Sequence, residues 1–262
     1  MSLPLFWVFW LSGWLGKAVP LINGETYAVV VGISDYQALS YATGDLRYAD
    51  RDARQVVAFL QSKPGGRVSD AHIRLLTNRQ ATLAGIHQAM HLFRQAKTGD
   101  RIILYFSGHG LPESFVPYDV NPGNPNRALT HRAIKEAFRA SKATTKLCIA
   151  DACLSGSLTK PSNRQRVAQA IGREPGPGST VAMLLASRST EFAVEARKLA
   201  GGAFTHYLLK GLYGQADFNH DRVVTIRELH RYVSLNVRQT TRDRQAPVFY
   251  GRFSDDLALS NL

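Results

Sequence analysis

Two short polar stretches of the chain hold residue types that can break an amide bond. Ser107-Gly108-His109-Gly110 sets an imidazole between two glycines, and Asp151-Ala152-Cys153-Leu154-Ser155-Gly156 sets a thiol two positions after a carboxylate. A thiolate is a strong nucleophile, and an imidazole within reach can accept the thiol proton and later protonate the leaving amine. Glycines beside the histidine let backbone N–H groups approach a substrate oxygen closely, as an oxyanion hole requires. Each stretch alone says little, because a cysteine ending a strand is more often a small buried hydrophobe. Cys148, inside the preceding apolar run, takes that reading.

Both stretches follow apolar runs that read as buried strands, Arg101 to Phe106 (RIILYF) and Lys146 to Ala150 (KLCIA). In open α/β sheets ligands bind at the carboxyl ends of the strands, where loops converge over a crevice. If the two strands are neighbours, His109 and Cys153 face each other. The rest of the chain alternates in the same manner. Tyr27 to Ile33 and Ile73 to Leu76 read as strands; Leu46, Ala49, Ala53, Val56, Val57 and Leu60 recur at helical spacing between them. Thr82 caps a helix that turns Leu83, Ile86, Met90 and Phe93 inward, and another helix runs from about Thr130 to Ala140. Later come a strand at Val181 to Ala186, helices near Phe204 to Leu212 and Ile226 to Val237, and a strand near Pro247 to Tyr250. This alternation predicts an α/β fold, a mostly parallel sheet of about six strands with helices on both faces.

Taken together the two stretches resemble the caspase superfamily of cysteine peptidases, and especially its bacterial metacaspase-like branch. The resemblance extends through YAVVVGISDY, LRYADRDA, GDRIILYFSGHG, FVPYD, KLCIADACLSGS, LLASRSTEFAVE and GGAFTHYLLKGL. It implies a three-layer caspase-like domain over residues 25–262, with His109 and Cys153 as the catalytic dyad and the backbone N–H groups of Gly110 and Cys153 as the oxyanion hole. It offers no third catalytic residue; His131 and His206 read as structural or surface groups. Caspases carry Gln-Ala-Cys-x-Gly at the nucleophile. Here Asp151 stands at the glutamine position, and an extra residue separates Cys153 from its glycine. Metacaspases resemble this chain in having Asp there, and they cut after Arg or Lys. Asp52, in LRYADRDA, matches the second carboxylate of their substrate pocket, and two carboxylates can grip one guanidinium by charge-assisted, bidentate hydrogen bonds. The alternative for Asp52 is a side chain that merely faces solvent on its helix, as Asp50 could. The function expected is therefore cleavage after Arg or Lys through a thioester acyl-enzyme, against the alternative of a catalytically silent interaction module on the same scaffold.

The remaining features bound this reading. The charge of +12, from 32 Lys+Arg against 20 Asp+Glu, suits an acidic partner, but the basic residues are scattered and no nucleic-acid-binding motif accompanies them. The expected partners are protein or peptide substrates with basic residues. The two cysteines form no disulfide framework and pair with no histidine at zinc spacing, so no cofactor is required. Asp217, Asn219, Asp221, Val223, Thr225 and Glu228 have the spacing of a calcium loop. Arg222, however, replaces its turn glycine, and Thr225 to Glu228 doubles as a capping box. Ca2+ is thus a candidate activator that works elsewhere. Leu3 to Leu15 (LPLFWVFWLSGWL) carries no charge. It is shorter than the ~20 residues of a spanning helix and matches the apolar region of a signal peptide. Residues 1–24 are read as a leader or membrane anchor of an exported, periplasmic protein, or else as a hydrophobic arm on a cytoplasmic one. Residues 158–179, rich in Pro, Gly and basic side chains, read as an exposed linker loop. Its Lys160, Arg164, Arg166 and Arg173 offer sites for self-cleavage.

Overall fold

The computed structural model describes residues 24–40, 44–111, 113–120, 127–152, 180–186, 199 and 201–262, and the backbone of 195–196. Cys153, the 158–179 loop and residues 1–23 lie outside them. Six strands form the central sheet: β1 (Thr26–Gly32), β2 (Ile73–Thr77), β3 (Arg101–Ser107), β4 (Thr145–Asp151), β5 (Thr180–Leu185) and β6 (Val248–Arg252). Their order is β6-β5-β4-β3-β1-β2. All pairs are parallel except β5 with β6, which run antiparallel. The expected α/β fold, a mostly parallel six-stranded sheet, is what the chain adopts.

Alternate residues of each strand feed opposite faces, because the pleat has a period of two. Val29, Val31, Leu104 and Phe106 pack with Ile86 and Met90 of α2 (Leu83–Met90) and with Ile134 and Phe138 of α3 (His131–Ala140). Ala28, Val30, Ile103 and Tyr105 pack on the other side. There they meet Val56 and Leu60 of α1 (Ala49–Gln61), Phe204 and Leu208 of α4 (Ala203–Lys210), and Leu229 and Val233 of α5 (Ile226–Thr241). Three layers result, with the sheet buried on both faces.

Local chemistry sets the helix ends. The hydroxyl of Thr82 accepts the Gly85 N–H at the start of α2, and that of Thr130 accepts the Ala133 N–H at the start of α3. At the far end of α3 the buried Lys146 ammonium donates to the carbonyls of Phe138 (2.6 Å) and Ser141 (2.8 Å). Sequence periodicity missed the final strand, Ala258–Asn261, which pairs antiparallel with Val223–Thr225. Arg101 holds that strand: its guanidinium donates to the carbonyls of Ala258 (2.6 Å) and Leu259 (3.4 Å), and burial lowers its pKa to about 10. Among the described residues no helix is long and apolar enough to cross a membrane.

His131, the first residue of α3, is a structural group. Its ring meets Phe115 edge to face, centroids 5.3 Å apart, and burial, with the Lys135 charge second, lowers its pKa from 6.5 to about 4. The unfolded chain binds a proton here below about pH 6.5 and the folded chain refuses it until about pH 4. Stability from this group is therefore full above pH 6.5 and is lost as pH falls through that window, by about 2 kcal/mol between pH 7 and 5. His131→Phe keeps a ring against Phe115 and removes the titration. Urea unfolding of wild type and variant at pH 7 and pH 5 should show the pH-dependent loss shrinking by about that amount, and an unchanged pH dependence would refute the assignment.

Candidate active site

The parallel register of β3 and β4 places Ser107 opposite Asp151. The two chemistry-bearing stretches therefore leave the sheet side by side, and the Gly108 N–H donates to the Asp151 carbonyl at 3.2 Å. Beyond this point one stretch continues to His109 and the other, past Ala152, to Cys153 outside the described residues.

His109 is held at three points. Its backbone N–H donates to the Tyr36 hydroxyl at 2.7 Å, and its imidazole lies against the Tyr36 ring, centroids 5.0 Å apart. Burial raises the Tyr36 pKa, so the phenol stays neutral. On the ring, Nε2 is hydrogen-bonded to the Gly44 carbonyl at 2.5 Å. A carbonyl only accepts, so Nε2 carries the proton and Nδ1 is the ring's acceptor nitrogen. That is the tautomer a general base needs, fixed by a backbone oxygen. Gly44 adopts φ +144°, in the region that favours glycine. No residue type signals this partner, because every residue carries a carbonyl.

Gly110 and Leu111 form a short antiparallel pair with Ser114 and Phe115. The Val116 N–H donates to the His109 carbonyl at 2.9 Å, which makes Gly110 opposite Phe115 a non-hydrogen-bonded pair. The Gly110 N–H is thus turned away from the hairpin and can serve as a donor to something else.

The two acids meet. Asp52 of α1 is 2% exposed and Asp151 at the end of β4 is 5% exposed, so Asp52 does not face solvent. Asp50, in contrast, is partly exposed and accepts the Ser34 hydroxyl at 2.7 Å. Asp52 Oδ2 accepts the N–H of Gly202, the N-cap of α4, at 2.9 Å. Asp151 Oδ2 accepts both the N–H (3.1 Å) and the hydroxyl (2.8 Å) of Thr205 in the same first turn. A Cβ added to Gly202 would lie 2.2 Å from Asp151 Oδ2 and 3.1 Å from Asp52 Oδ2, so both carboxylates converge on one point that only glycine leaves open. The amino end of a helix carries partial positive charge, which stabilises anions there. Two adjoining carboxylates concentrate negative charge there, which can attract a cation.

In the Asp217 to Glu228 loop, Asp217, Asn219 and Asp221 hydrogen-bond to neighbouring backbone N–H groups and, for Asn219 and Asp221, to each other. Arg222 takes the turn position at φ +68°, with its N–H donating to Asp217 Oδ2 at 3.1 Å. Glu228 Oε2 is engaged by the N–H (3.0 Å) and hydroxyl (2.8 Å) of Thr225 in the capping box. Among the described residues no cluster of three or more His, Cys, Asp or Glu is placed to hold a metal ion.

Comparison with known proteins agrees with this geometry. The model of a family described as the caspase domain matches residues 25–258. A probable protease of a Desulfuromonadales bacterium is 28% identical over 247 residues, covering 81% of this chain and 30% of that protein. The chain thus spans less than a third of that relative's length. A protein of Geobacter sulfurreducens of known structure superposes with a TM-score of 0.61 at 16% identity, covering 88% of this chain and 95% of the other. Caspase-1 from Spodoptera frugiperda superposes with a TM-score of 0.57 at 12% identity, covering 90% and 89%.

The close approach at Gly202 yields a direct test. Gly202→Ala forces a methyl group between the two carboxylates and should lower the unfolding free energy by about 1–3 kcal/mol, as overpacking does. Urea denaturation measures this, and a variant as stable as wild type would show that the carboxylates do not close on this residue.

Proposed function

This chain belongs to the caspase family, and from that premise we propose that it is a cysteine peptidase in which Cys153 and His109 cleave peptide bonds following Arg or Lys. The observation that carries the specificity is the convergence of Asp52 and Asp151 at the amino end of α4, beside the strand ends that lead to His109 and Cys153. An acidic substrate side chain would be repelled there; a guanidinium or ammonium is stabilised by both charges.

The steps follow from the groups available. His109 Nδ1 takes the proton of the Cys153 thiol while the Gly44 carbonyl holds Nε2–H in place. The thiolate sulfur bonds to the carbonyl carbon before the cut, and the oxygen acquires charge that the N–H groups of Gly110 and Cys153 accept. Collapse of this adduct breaks the C–N bond, and the imidazolium gives its proton to the departing amine. Water, deprotonated by His109, then hydrolyses the thioester and returns the thiol. Partners on this reading are proteins or peptides with basic residues, and residues 1–24 supply any contact with a membrane on the periplasmic side. Ca2+ enters only as an activator acting away from the 217–228 loop, whose Glu228 is spent on helix capping.

Two outcomes test the proposal. Cys153→Ala and His109→Ala should each lower peptidase turnover by at least about 10³-fold, and the double variant should be no worse than either, because nucleophile and base act as a unit. A double variant much worse than both singles would break the dyad assignment. Profiling on a peptide library should return Arg or Lys before the scissile bond and none with Asp, and Asp52→Asn or Asp151→Asn should weaken that preference. Selection of an acidic or large apolar residue would overturn the pocket, whatever became of the dyad.

A further inference from the structure

We propose that Thr205 and Tyr105 form a positioning relay that aims the Asp151 carboxylate, so that Thr205 determines the preference for Arg over Lys without touching the substrate. The proposal rests on the basic-residue pocket put forward above.

Asp151 Oδ2 accepts two hydrogen bonds from Thr205: the backbone N–H at 3.1 Å and the hydroxyl at 2.8 Å. The single hydroxyl proton of Thr205 is thereby committed to the carboxylate. The Tyr105 hydroxyl, 2.7 Å from Thr205 Oγ1, must then be the donor in their contact. Thr205 and Tyr105 are both 0% exposed. Burial, and then the neighbouring charges of Asp52 and Asp151, push the Tyr105 phenol well above its ordinary range, so it holds its proton. The chain of bonds starts on β3, two residues before Ser107, crosses to α4 and returns to the end of β4 opposite Ser107. The carboxylate is thus referenced to the sheet as well as to the helix.

The aim of that carboxylate has a chemical consequence. The terminal torsion of an aspartate is broad and roughly two-fold, so nothing intrinsic fixes the carboxylate plane. Pinning Oδ2 with two donors from one residue fixes the plane, and with it the direction in which Oδ1 can accept. A guanidinium is a planar fork whose bidentate bonds require a matching carboxylate plane, whereas an ammonium acts as a point charge on a flexible stem. Loss of the Thr205 hydroxyl should therefore weaken recognition of Arg far more than recognition of Lys. A merely structural role for Thr205 would instead lower turnover on all substrates alike.

The test uses the full chain and fluorogenic peptides that end in Arg, Lys or citrulline, the neutral isostere of Arg. Thr205→Val should raise KM about tenfold for Arg and about twofold for Lys, with kcat nearly unchanged, since a misaimed charge-assisted bond is worth roughly that much. Thr205→Ser should restore wild-type values, and Tyr105→Phe should raise KM for Arg about threefold. An Arg-to-Lys ratio that stays at the wild-type value in Thr205→Val, or an equal fall in kcat on every substrate, overturns the relay. Should Thr205→Val fail to fold, Tyr105→Phe decides by the same ratio, since it removes one oxygen and keeps the packed ring. A wild type that cleaves the citrulline peptide as well as the Arg peptide sinks the pocket and the relay together. If wild type favours Arg and Asp151→Asn abolishes that preference while the ratio is unmoved in Thr205→Val and Tyr105→Phe, the relay alone is wrong.

Discussion

Two carboxylates buried beside each other repel, and desolvation makes each costlier. Asp52 and Asp151 stand in that position, and the surrounding structure offsets it with the donors at the amino end of α4. The Gly202 and Thr205 N–H groups and the Thr205 hydroxyl supply charge-assisted hydrogen bonds, and the helix dipole adds its favourable field. Much of the architecture serves this arrangement: α1 brings Asp52, β4 ends at Asp151, and α4 begins where a side chain beyond Gly would obstruct both.

The same level of the sheet carries the residues proposed for hydrolysis. Ser107 and Asp151 are partners across β3 and β4, so a single register fixes both where the imidazole leaves the sheet and where the acid sits. A shift of one residue would turn the side chains of a strand to the opposite face. Different helices cover the two faces, α2 and α3 on one and α1, α4 and α5 on the other, so a slipped strand would lose its fitted partners on both. Stability and site geometry thus have one origin in the packing of two cores against a common sheet.

What was legible in the sequence follows from which interactions leave a periodic or typed trace. Strand and helix positions were readable because burial imposes period two or near 3.6; His109 and Cys153 stood out as candidates because they are of reactive type after strand ends. The pairing of Asp52 with Asp151 was reachable only through resemblance, since nothing in their spacing across a hundred residues signals proximity. The Gly44 carbonyl, the Tyr36 hydroxyl and Thr205 were unread. The first is a backbone atom, and the others are ordinary polar residues whose importance lies in what they touch. The strand at Ala258–Asn261 escaped because it is short and depends on Arg101, far away in sequence, to hold its carbonyls.

The capping of α4 by residues from the first two thirds of the chain ties the pocket to the order of biosynthesis. A chain emerging amino end first presents Asp52, His109, Asp151 and Cys153 before Gly202 and Thr205 have been made. Until that helix arrives, the two acids lack the donors that let them sit together, and the register of β4 has no Thr205 to answer it. A growing polypeptide therefore carries Cys153 before the two acids have been capped. The pocket proposed for a basic side chain is completed only after the last third has been synthesised and has docked.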